Sequence, residues 1–293
     1  MRYLADQVLN GLSLGCVYAL LAIGFAMVFG VLKLLNFAHS EIFATGAFIG
    51  YFALRWLTPD FAGSPLLLLL AAIMIAGSGA GVLAMIIEKV AYRPLRDYRG
   101  EGVLLTAIGV SIAIQNIGIQ FFSAHARGYP PLELPFPPKA VAVVILVLSF
   151  LLLYGLIHWT SLGLEVRAIA EDLSTSRLLG ISPPRLVTLT FFVGGFFAGV
   201  AGVVWGIVYG VIHLQMGFYP GLKSFIIAVI GSIGDLPGTF VAGIGLGLLE
   251  CLLAAYLPPP ISAYRDPLTL SLLLALLVWK PHGILGSSEP EKV

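Results

Sequence analysis

Six charged residues stand close together in a chain whose flanking stretches carry none. No Asp, Glu, Lys or Arg occurs in residues 140–164 or 186–222. Between these runs lie Glu165, Arg167, Glu171, Asp172, Arg177 and Arg185. At helical spacing, such side chains are suited to docking a polar partner from the aqueous phase, although charge runs are more often the solvated face of an ordinary loop. Composition alone favours the ordinary loop.

Four further ionisable residues lie in or beside apolar segments, where a charge is able to contact a transported solute. They are Glu41, Lys223, Asp235 and Glu250. A charge in hydrocarbon costs at least ~2.5 kcal/mol on insertion scales, so it generally faces a pathway or a partner. Glu41 and Lys223 are near predicted segment ends, which favours an interfacial position. Asp235, between Gly234 and Pro237, is the best candidate for lining a polar route, with helix capping as the equal alternative.

The sequence lacks the motifs of several enzyme classes. There is no G-x-x-x-x-G-K-[ST] phosphate-binding loop, since the dipeptide Gly-Lys does not occur, and there is no H-E-x-x-H zinc motif. His39 and Glu41 have no third ligand near them in sequence, so we predict no metal site. The net charge of +1 gives no reason to expect nucleic acid. A membrane-embedded enzyme is poorly supported.

The elements that must position these residues are membrane-spanning helices. The chain is 59% hydrophobic and 11% charged, with a mean hydropathy of +0.99, and runs of about 20 apolar residues match a bilayer core. The apolar segments are at about 7–32, 40–57, 64–88, 103–123, 139–160, 186–212, 223–257 and 267–280. We predict an all-α, polytopic transmembrane helical bundle, one domain over residues 1–293, with about eight to nine membrane segments.

The distribution of Lys and Arg predicts the orientation of these segments. Residues 88–102 and 162–185 are rich in cations and are therefore predicted to be cytoplasmic. The Pro-rich segment 123–139 has few cations and is predicted to face outward. Counting back from these segments puts the amino terminus outside.

Glycine and proline predict both a break and close helix contacts. Segment 223–257 is too long for one crossing and contains GSIGDLPG, which predicts two half-helices or a re-entrant hairpin surrounded by protein or a water-filled cavity. Glycines four residues apart, as at Gly195 and Gly199 or Gly202 and Gly206, let helix backbones approach closely. Packing inside the bundle is favoured over packing against a second membrane subunit.

Three stretches resemble one known family, the permeases of branched-chain amino acid ABC importers of the LivH type. The first is NGLSLGCVYALLAIGFAMVFGVLKLLNFAHSEIFATGAF, in which Asn-Phe-Ala-His at 36–39 is the most specific part. The second is RAIAEDLSTSRLLGI, which resembles the cytoplasmic coupling segment of the family, and the third is GLKSFIIAVIGSIGDLPGTFVAGIGLGLLE. Ser40 stands where family members usually have Gly, and 175–177 stand where alanines are common. The resemblance covers about residues 9–285.

The resemblance implies a bacterial inner-membrane importer subunit with no cofactor of its own. ATP would be hydrolysed by two separate cytoplasmic subunits, a periplasmic or lipid-anchored binding protein would deliver the solute, and a second, related permease would complete the pathway within the lipid bilayer, as a heterodimer. Segment 162–184 would be a cytoplasmic coupling helix, predicted here as one helix over 165–179. Its coupling residues would be Glu165, Arg167, Ala170, Glu171, Asp172, Ser176 and Gly180; the pathway candidates are Asn36, His39 and Asp235.

Other functions are possible for a chain of this composition. Relatives in the same superfamily carry urea, short amides or other small polar solutes, so the substrate could be one of these instead of a branched-chain or other neutral amino acid. An ion-coupled secondary transporter needs paired acidic residues at the middle of the membrane. Only Asp235 and Glu250 qualify for that role, and the charged segment 162–184 would then have no function.

Overall fold

The computed structural model describes residues 2–32, 36–58, 64–95, 101–232, 234–262 and 264–280. Lys33 and the cations at 96–100 lie outside these ranges. The helices are α1 (Arg2–Leu32), α2 (His39–Leu57), α3 (Pro65–Ile87), α4 (Glu101–Phe122), α5 (Pro138–Trp159), α6 (Ser161–Glu171), α7 (Leu173–Leu178), α8 (Pro183–Tyr209), α9 (Phe218–Ile230), α10 (Leu236–Tyr256), α11 (Pro259–Ser262) and α12 (Arg265–Trp279). A π-helical turn, Glu88–Tyr92, and a 3₁₀ turn, Arg93–Leu95, extend α3, and a second 3₁₀ turn, Leu214–Gly217, precedes α9.

The predicted all-α membrane bundle is confirmed. Among the described residues, α1, α3, α4, α5, α8 and α10 are long and apolar enough to cross a bilayer. The shorter apolar helices α2, α9 and α12 have 19, 13 and 15 residues. The predicted count of eight to nine membrane segments is reached only if these three shorter helices are added to the six spans, so the exact number stays a prediction. The helix boundaries follow the apolar runs of the sequence closely.

Glycine contacts hold α8 in the centre of the bundle. A Cβ at Gly199 would lie 2.6 Å from the carbonyl oxygen of Ala76 on α3, and a Cβ at Gly46 on α2 would lie 2.5 Å from the Cα of Gly199. A Cβ at Gly202 would lie 2.6 Å from the carbonyl oxygen of Phe43 on α2. Any larger residue would force these backbones apart. The prediction that these glycines pack inside the bundle is confirmed.

The described residues of the two cation-rich segments lie at one end of the bundle, and the Pro-rich segment lies at the other. Arg93 donates to the hydroxyl of Thr188 at 2.9 Å, which joins the chain after α3 to the start of α8. At the other end of α8, the Tyr129 amide donates to the carbonyl of Gly210 at 2.8 Å. There a short antiparallel ladder pairs β1 (Arg127–Gly128) with β2 (Val211–Ile212). We call these the α6 end and the β end; the positive-inside rule predicts that the α6 end is cytoplasmic.

Helix α2 begins inside the bundle, and segment 223–257 is broken, as its glycine and proline pattern predicts. The chain folds back after α1, because a Cβ at Gly24 would lie 2.6 Å from Nε2 of His39. Gly24 is eight residues before the end of α1, so α2 starts about 12 Å inside the bundle. Helix α10 is long enough to cross a bilayer by itself, so the predicted pair of half-helices is wrong for α10. The predicted break in segment 223–257 is confirmed between Ile230 and Leu236. It lies beside Gly30, close to the α6 end and away from the middle of the bundle.

Candidate functional site

The coupling segment is two helices and not the predicted single helix over 165–179. The backbone of Asp172 is extended, with φ −150° and ψ 108°, and this breaks the segment into α6 and α7. The Asp172 carboxylate accepts a hydrogen bond from the Thr175 amide at 3.3 Å and another from the Thr175 hydroxyl. An Asp before a helix satisfies its unpaired amides in this way. Asp172 therefore caps α7.

A left-handed glycine ends α7. Gly180 has φ +82°; its amide donates to the Arg177 carbonyl, and the Ile181 amide donates to the Ser176 carbonyl, both at 3.1 Å. This pair of bonds is a Schellman motif, which strongly favours Gly at the left-handed position. Ser176, predicted as a coupling residue, is 2% exposed and its hydroxyl donates to the Asp172 carbonyl. Its observed contacts therefore hold α7 together. Pro183 and Pro184 form the first turn of α8.

The segment is fixed to the bundle on one side and open on the other. Gly163 allows the tight turn from α5, since a Cβ there would lie 2.1 Å from the Ile157 carbonyl oxygen, and Ile169 is 2% exposed. On the open side, Leu178 and Leu179 are 88% and 73% exposed. The predicted charged residues Arg167, Glu171 and Asp172 are also exposed, whereas Glu165 and Ala170 are half-buried. The exposed leucine pair was missed among the predicted site residues.

Asn36 and His39 lie in the bend between α1 and α2. The Tyr92 hydroxyl donates to Oδ1 of Asn36 at 2.9 Å, and the His39 ring is 4.5 Å from the Phe25 ring. Both side chains are buried, and Nδ2 of Asn36 and Nε2 of His39 have no partner among the described residues. Their place on a solute pathway stays a prediction, because their neighbours, and not they, line the nearby cavity.

That cavity, which we call the α4–α9 groove, has a volume of ≈ 420 Å³. Phe37, Ser40 and Glu41 of the bend line it opposite Ser111 and Gln115 of α4. The interfacial position predicted for Glu41 is wrong: Glu41 is 3% exposed and accepts hydrogen bonds from Ser111 at 3.1 Å and Gln115 at 3.3 Å. A buried carboxylate held by neutral donors is able to attract a cationic group from the groove.

The groove continues toward the β end. A second cavity of ≈ 540 Å³ shares Gln115 and Phe218 with it and is also lined by His213, Gln215 and Tyr219. The combined surface is mostly apolar and aromatic, with neutral hydrogen-bonding groups at intervals. A small solute with an apolar side chain would meet both kinds of contact along it.

A buried ion cluster joins α1, α9, α10 and α12. The Lys223 ammonium lies 2.8 Å from Glu250, 2.8 Å from Asp266 and 3.3 Å from the Tyr18 hydroxyl. The Tyr18 hydroxyl in turn donates to Glu250 at 2.9 Å. The interfacial position predicted for Lys223 is therefore wrong. A lone cation in an apolar segment, with acidic residues in the next segments, was the sequence signal that could have found this cluster.

Asp235 is the amino-terminal cap of α10. Its carboxylate accepts from the Gly238 amide at 3.0 Å, and the adjoining residues Gly234 and Leu236 line a small cavity with Val166 and Arg167 of α6. The structure thus places Asp235 near the coupling segment and apart from the α4–α9 groove. A role on the pathway stays a prediction. Among the described residues, no group of three His, Cys, Asp or Glu side chains is arranged to hold a metal ion.

Comparison with known proteins identifies the family of this chain. The family described as branched-chain amino acid transport system / permease component matches residues 7–278. The chain belongs to this family. It is 36% identical over 307 residues to the high-affinity branched-chain amino acid transport system permease protein LivH of Escherichia coli K12, covering 99% of this permease and 98% of that protein.

Two further relatives place this permease within the family. It is 37% identical to BraD of Pseudomonas aeruginosa over 302 residues, covering 98% of this permease and 97% of BraD. It is 26% identical to LivM of Escherichia coli K12 over 153 residues, which is 52% of this permease and 34% of LivM. Family membership and the six long apolar helices make it a multi-pass protein of the inner membrane, a transport subunit that resembles LivH along its whole length.

Proposed function

We propose that this permease forms half of the translocation pathway of an ABC importer for branched-chain amino acids and other neutral amino acids of similar shape. Relatives named for high-affinity transport of branched-chain amino acids align with it over almost their whole length. The observation that carries the proposal is the α6–α7 segment, a rigidly anchored element whose free face presents leucines and charges at one end of the bundle.

The α6–α7 segment is the proposed docking site for an ATPase subunit. Leu178 and Leu179 are suited to an apolar cleft, and Glu171 and Arg177 beside them are suited to a polar rim. The other side of the segment packs on the bundle through Ile169 and Val166. Movement of an ATPase subunit would therefore be transmitted to α5 and α8, which flank the segment. ATP is proposed to bind to the partner subunits, because this permease has no phosphate-binding loop.

The α4–α9 groove is the proposed contribution of this subunit to the pathway. Its aromatic and aliphatic lining suits a branched apolar side chain. Glu41, a charged residue of this lining, would bind the ammonium group of the amino acid. The exposed apolar side chains of α4, among them Ile117 and Phe121, leave one face of this helix open to a second membrane subunit. We assign that place to a related but different permease, since Escherichia coli K12 has two permease proteins named for this transport system, LivH and LivM, and both resemble this chain.

A binding protein, periplasmic or lipid-anchored, is proposed to deliver the amino acid at the β end. The positive-inside rule puts this end outside, and the groove extends toward it through His213 and Tyr219. In this proposal the ATPase subunits hydrolyse ATP and the binding protein captures the amino acid. The permease then has two tasks: conducting the amino acid and transmitting the movement of the ATPase subunits.

The test compares two double substitutions in the complete importer in proteoliposomes. We expect Leu178→Ser with Leu179→Ser to abolish leucine uptake and the stimulation of ATP hydrolysis by loaded binding protein, while basal hydrolysis persists. The matched control, Leu4→Ser with Leu9→Ser, changes two exposed leucines of α1 near the β end and should transport normally. Glu171→Lys should also uncouple the complex. Normal uptake by the Leu178/Leu179 variant would rule out the α6–α7 segment as the docking site.

A further inference from the structure

A cavity of ≈ 570 Å³ lies beside the buried ion cluster, between α1, α5, α8, α10 and α12. It is separate from the α4–α9 groove and lies in the half of the bundle nearer the β end, since the α1 residues that line it run from Gln7 to Tyr18. Its volume is within the range of small-molecule sites. We call it the α1–α12 cavity.

The lining of the α1–α12 cavity carries charges of both signs. Glu250 and Asp266 supply carboxylates, and Lys139 and Arg265 supply cations. Glu250 is 5% exposed, and it is fixed in position by its hydrogen bonds to Lys223 and Tyr18. The Asp266 side chain is 33% exposed, so part of its carboxylate stays accessible while it pairs with Lys223.

The remaining wall of the cavity is aromatic. Tyr18, Trp205 and Tyr209 line it, and the rings of Trp205 and Tyr209 lie 4.3 Å apart. Trp205 also lines the outer part of the groove, so its ring stands between the two spaces. Lys139 also donates a hydrogen bond to the side-chain oxygen of Asn10, another lining residue. The carboxylates, the exposed cations and the aromatic wall together match a molecule that carries an ammonium, a carboxylate and an apolar side chain.

We propose that the α1–α12 cavity binds one free α-amino acid, with its carboxylate against Arg265 and Lys139, its ammonium against Asp266 and Glu250, and its side chain on Trp205. Charge-assisted hydrogen bonds to both ends of a zwitterion exceed neutral ones in strength, and they select against molecules with a single charge. The assignment rests on the proposed transport function, and it gives the permease a solute site of its own in addition to that of the binding protein.

Binding is measured directly on the purified importer in lipid nanodiscs, without binding protein and without nucleotide. We expect saturable binding of radiolabelled leucine, displaced by unlabelled leucine. Neither 3-methylbutylamine, which lacks the carboxylate, nor 4-methylpentanoate, which lacks the ammonium, should displace it at tenfold higher concentration. Equal displacement by either analogue would overturn the assignment to a zwitterion.

The location is tested by neutralising the two exposed cations. Arg265→Gln with Lys139→Gln should weaken leucine binding at least tenfold. The matched control, Arg55→Gln with Lys89→Gln, removes two exposed cations elsewhere and should leave binding unchanged. Unchanged binding in the Arg265/Lys139 variant would place the leucine outside this cavity and overturn the proposal.

A phosphatidylethanolamine headgroup carries an ammonium and an oxyanion, as a free amino acid does. The lipid composition of the discs is therefore varied in a separate experiment. Leucine binding should be equal in discs with phosphatidylethanolamine and in discs of phosphatidylglycerol alone. Loss of leucine binding in the discs with phosphatidylethanolamine would assign the cavity to lipid and overturn its assignment to an amino acid. Uptake with binding protein and ATP is measured on the same preparations: uptake without direct leucine binding overturns only this inference, and binding without uptake overturns only the importer function.

Discussion

The ion cluster and the coupling segment use the same kinds of charged side chain in opposite surroundings. In the cluster, the Lys223 and Glu250 side chains are 2% and 7% exposed, and each is held by direct bonds. In α6–α7, Glu171 and Arg177 are exposed, and only Asp172 has a defined local role, as a cap. In the sequence, Glu171 and Arg177 belong to a run of charges, whereas Lys223 and Glu250 are isolated in apolar segments.

The comparison shows that burial, and not residue type, decides what a charge does in this permease. Removing one member of a buried pair leaves the other uncompensated, which costs about 3–5 kcal/mol. An exposed pair is worth about 0–1 kcal/mol. Changes in the ion cluster should therefore affect folding, whereas changes in α6–α7 should affect the interaction with a partner. The predictions below are ordered by the size of the expected effect.

Lys223→Met should give the largest effect, a loss of about 3–5 kcal/mol in the free energy of unfolding, because Glu250 and Asp266 lose their shared cation. Thermal unfolding of the detergent-solubilised permease measures it. Adding Glu250→Gln should recover part of the loss by removing one uncompensated carboxylate. Lys89→Met is the control, since Lys89 is exposed; an equal loss in both single variants would contradict the contrast between buried and exposed charge.

Gly180→Val should come next, at about 1–3 kcal/mol of local backbone strain, because a β-branched residue is forced to φ +82°. We expect uptake to fall while the thermal stability of the bundle changes little, since nothing lies within 4 Å of the Cβ position. Gly180→Asn, which tolerates this conformation better, should retain more uptake. Equal uptake by both variants would show that the end of α7 is not strained by the substitution.

Asp235→Leu should destabilise the permease by about 1 kcal/mol through loss of the α10 cap. Asp235→Asn keeps a capping oxygen and removes the charge, so the pair separates the two roles. If Asp235 is only a cap, uptake by the Asn variant equals wild type; if the charge lines the pathway, uptake falls in both. Uptake assays and thermal unfolding on the same preparations give the answer.

Two cysteine substitutions test orientation with the smallest expected effect on stability. Arg177→Cys in α7 should react with a membrane-impermeant maleimide only from the cytoplasmic side. Ala126→Cys, at the β end, should react only from the outside. Both positions are exposed, so each should change the free energy of unfolding by less than ~0.5 kcal/mol. Labelling of position 177 from outside would contradict the assigned orientation and the docking of ATPase subunits.

The spans were predictable because hydrocarbon demands long uncharged runs, and α5 begins and ends within a residue or two of the predicted segment. The break at Asp172 was not predicted, since an Asp within a helical pattern either continues the helix or caps the next one, and tertiary packing decides. The burial of Lys223 was not predicted because its partners are 27 and 43 residues away. The groove around Glu41 was not predicted because it depends on how α4 packs across α2, and the sequence of neither helix specifies that packing.

Helix α8 packs into a slot lined by glycine and alanine residues, among them Gly46, Ala76 and Ala80. This slot has a consequence for the order in which the helices are inserted. The slot lies between α2 and α3, yet α3 ends at Ile87 and α8 is complete only at Tyr209, about 120 residues later. At ~5–20 residues per second, the ribosome takes roughly 6–24 s to supply the helix that fills it. We expect lipid chains to cover Gly46, Ala76 and Ala80 during that interval, since these residues contact α8 in the folded protein. Insertion of α8 is thus a late step in biogenesis that expels lipid from the centre of the protein.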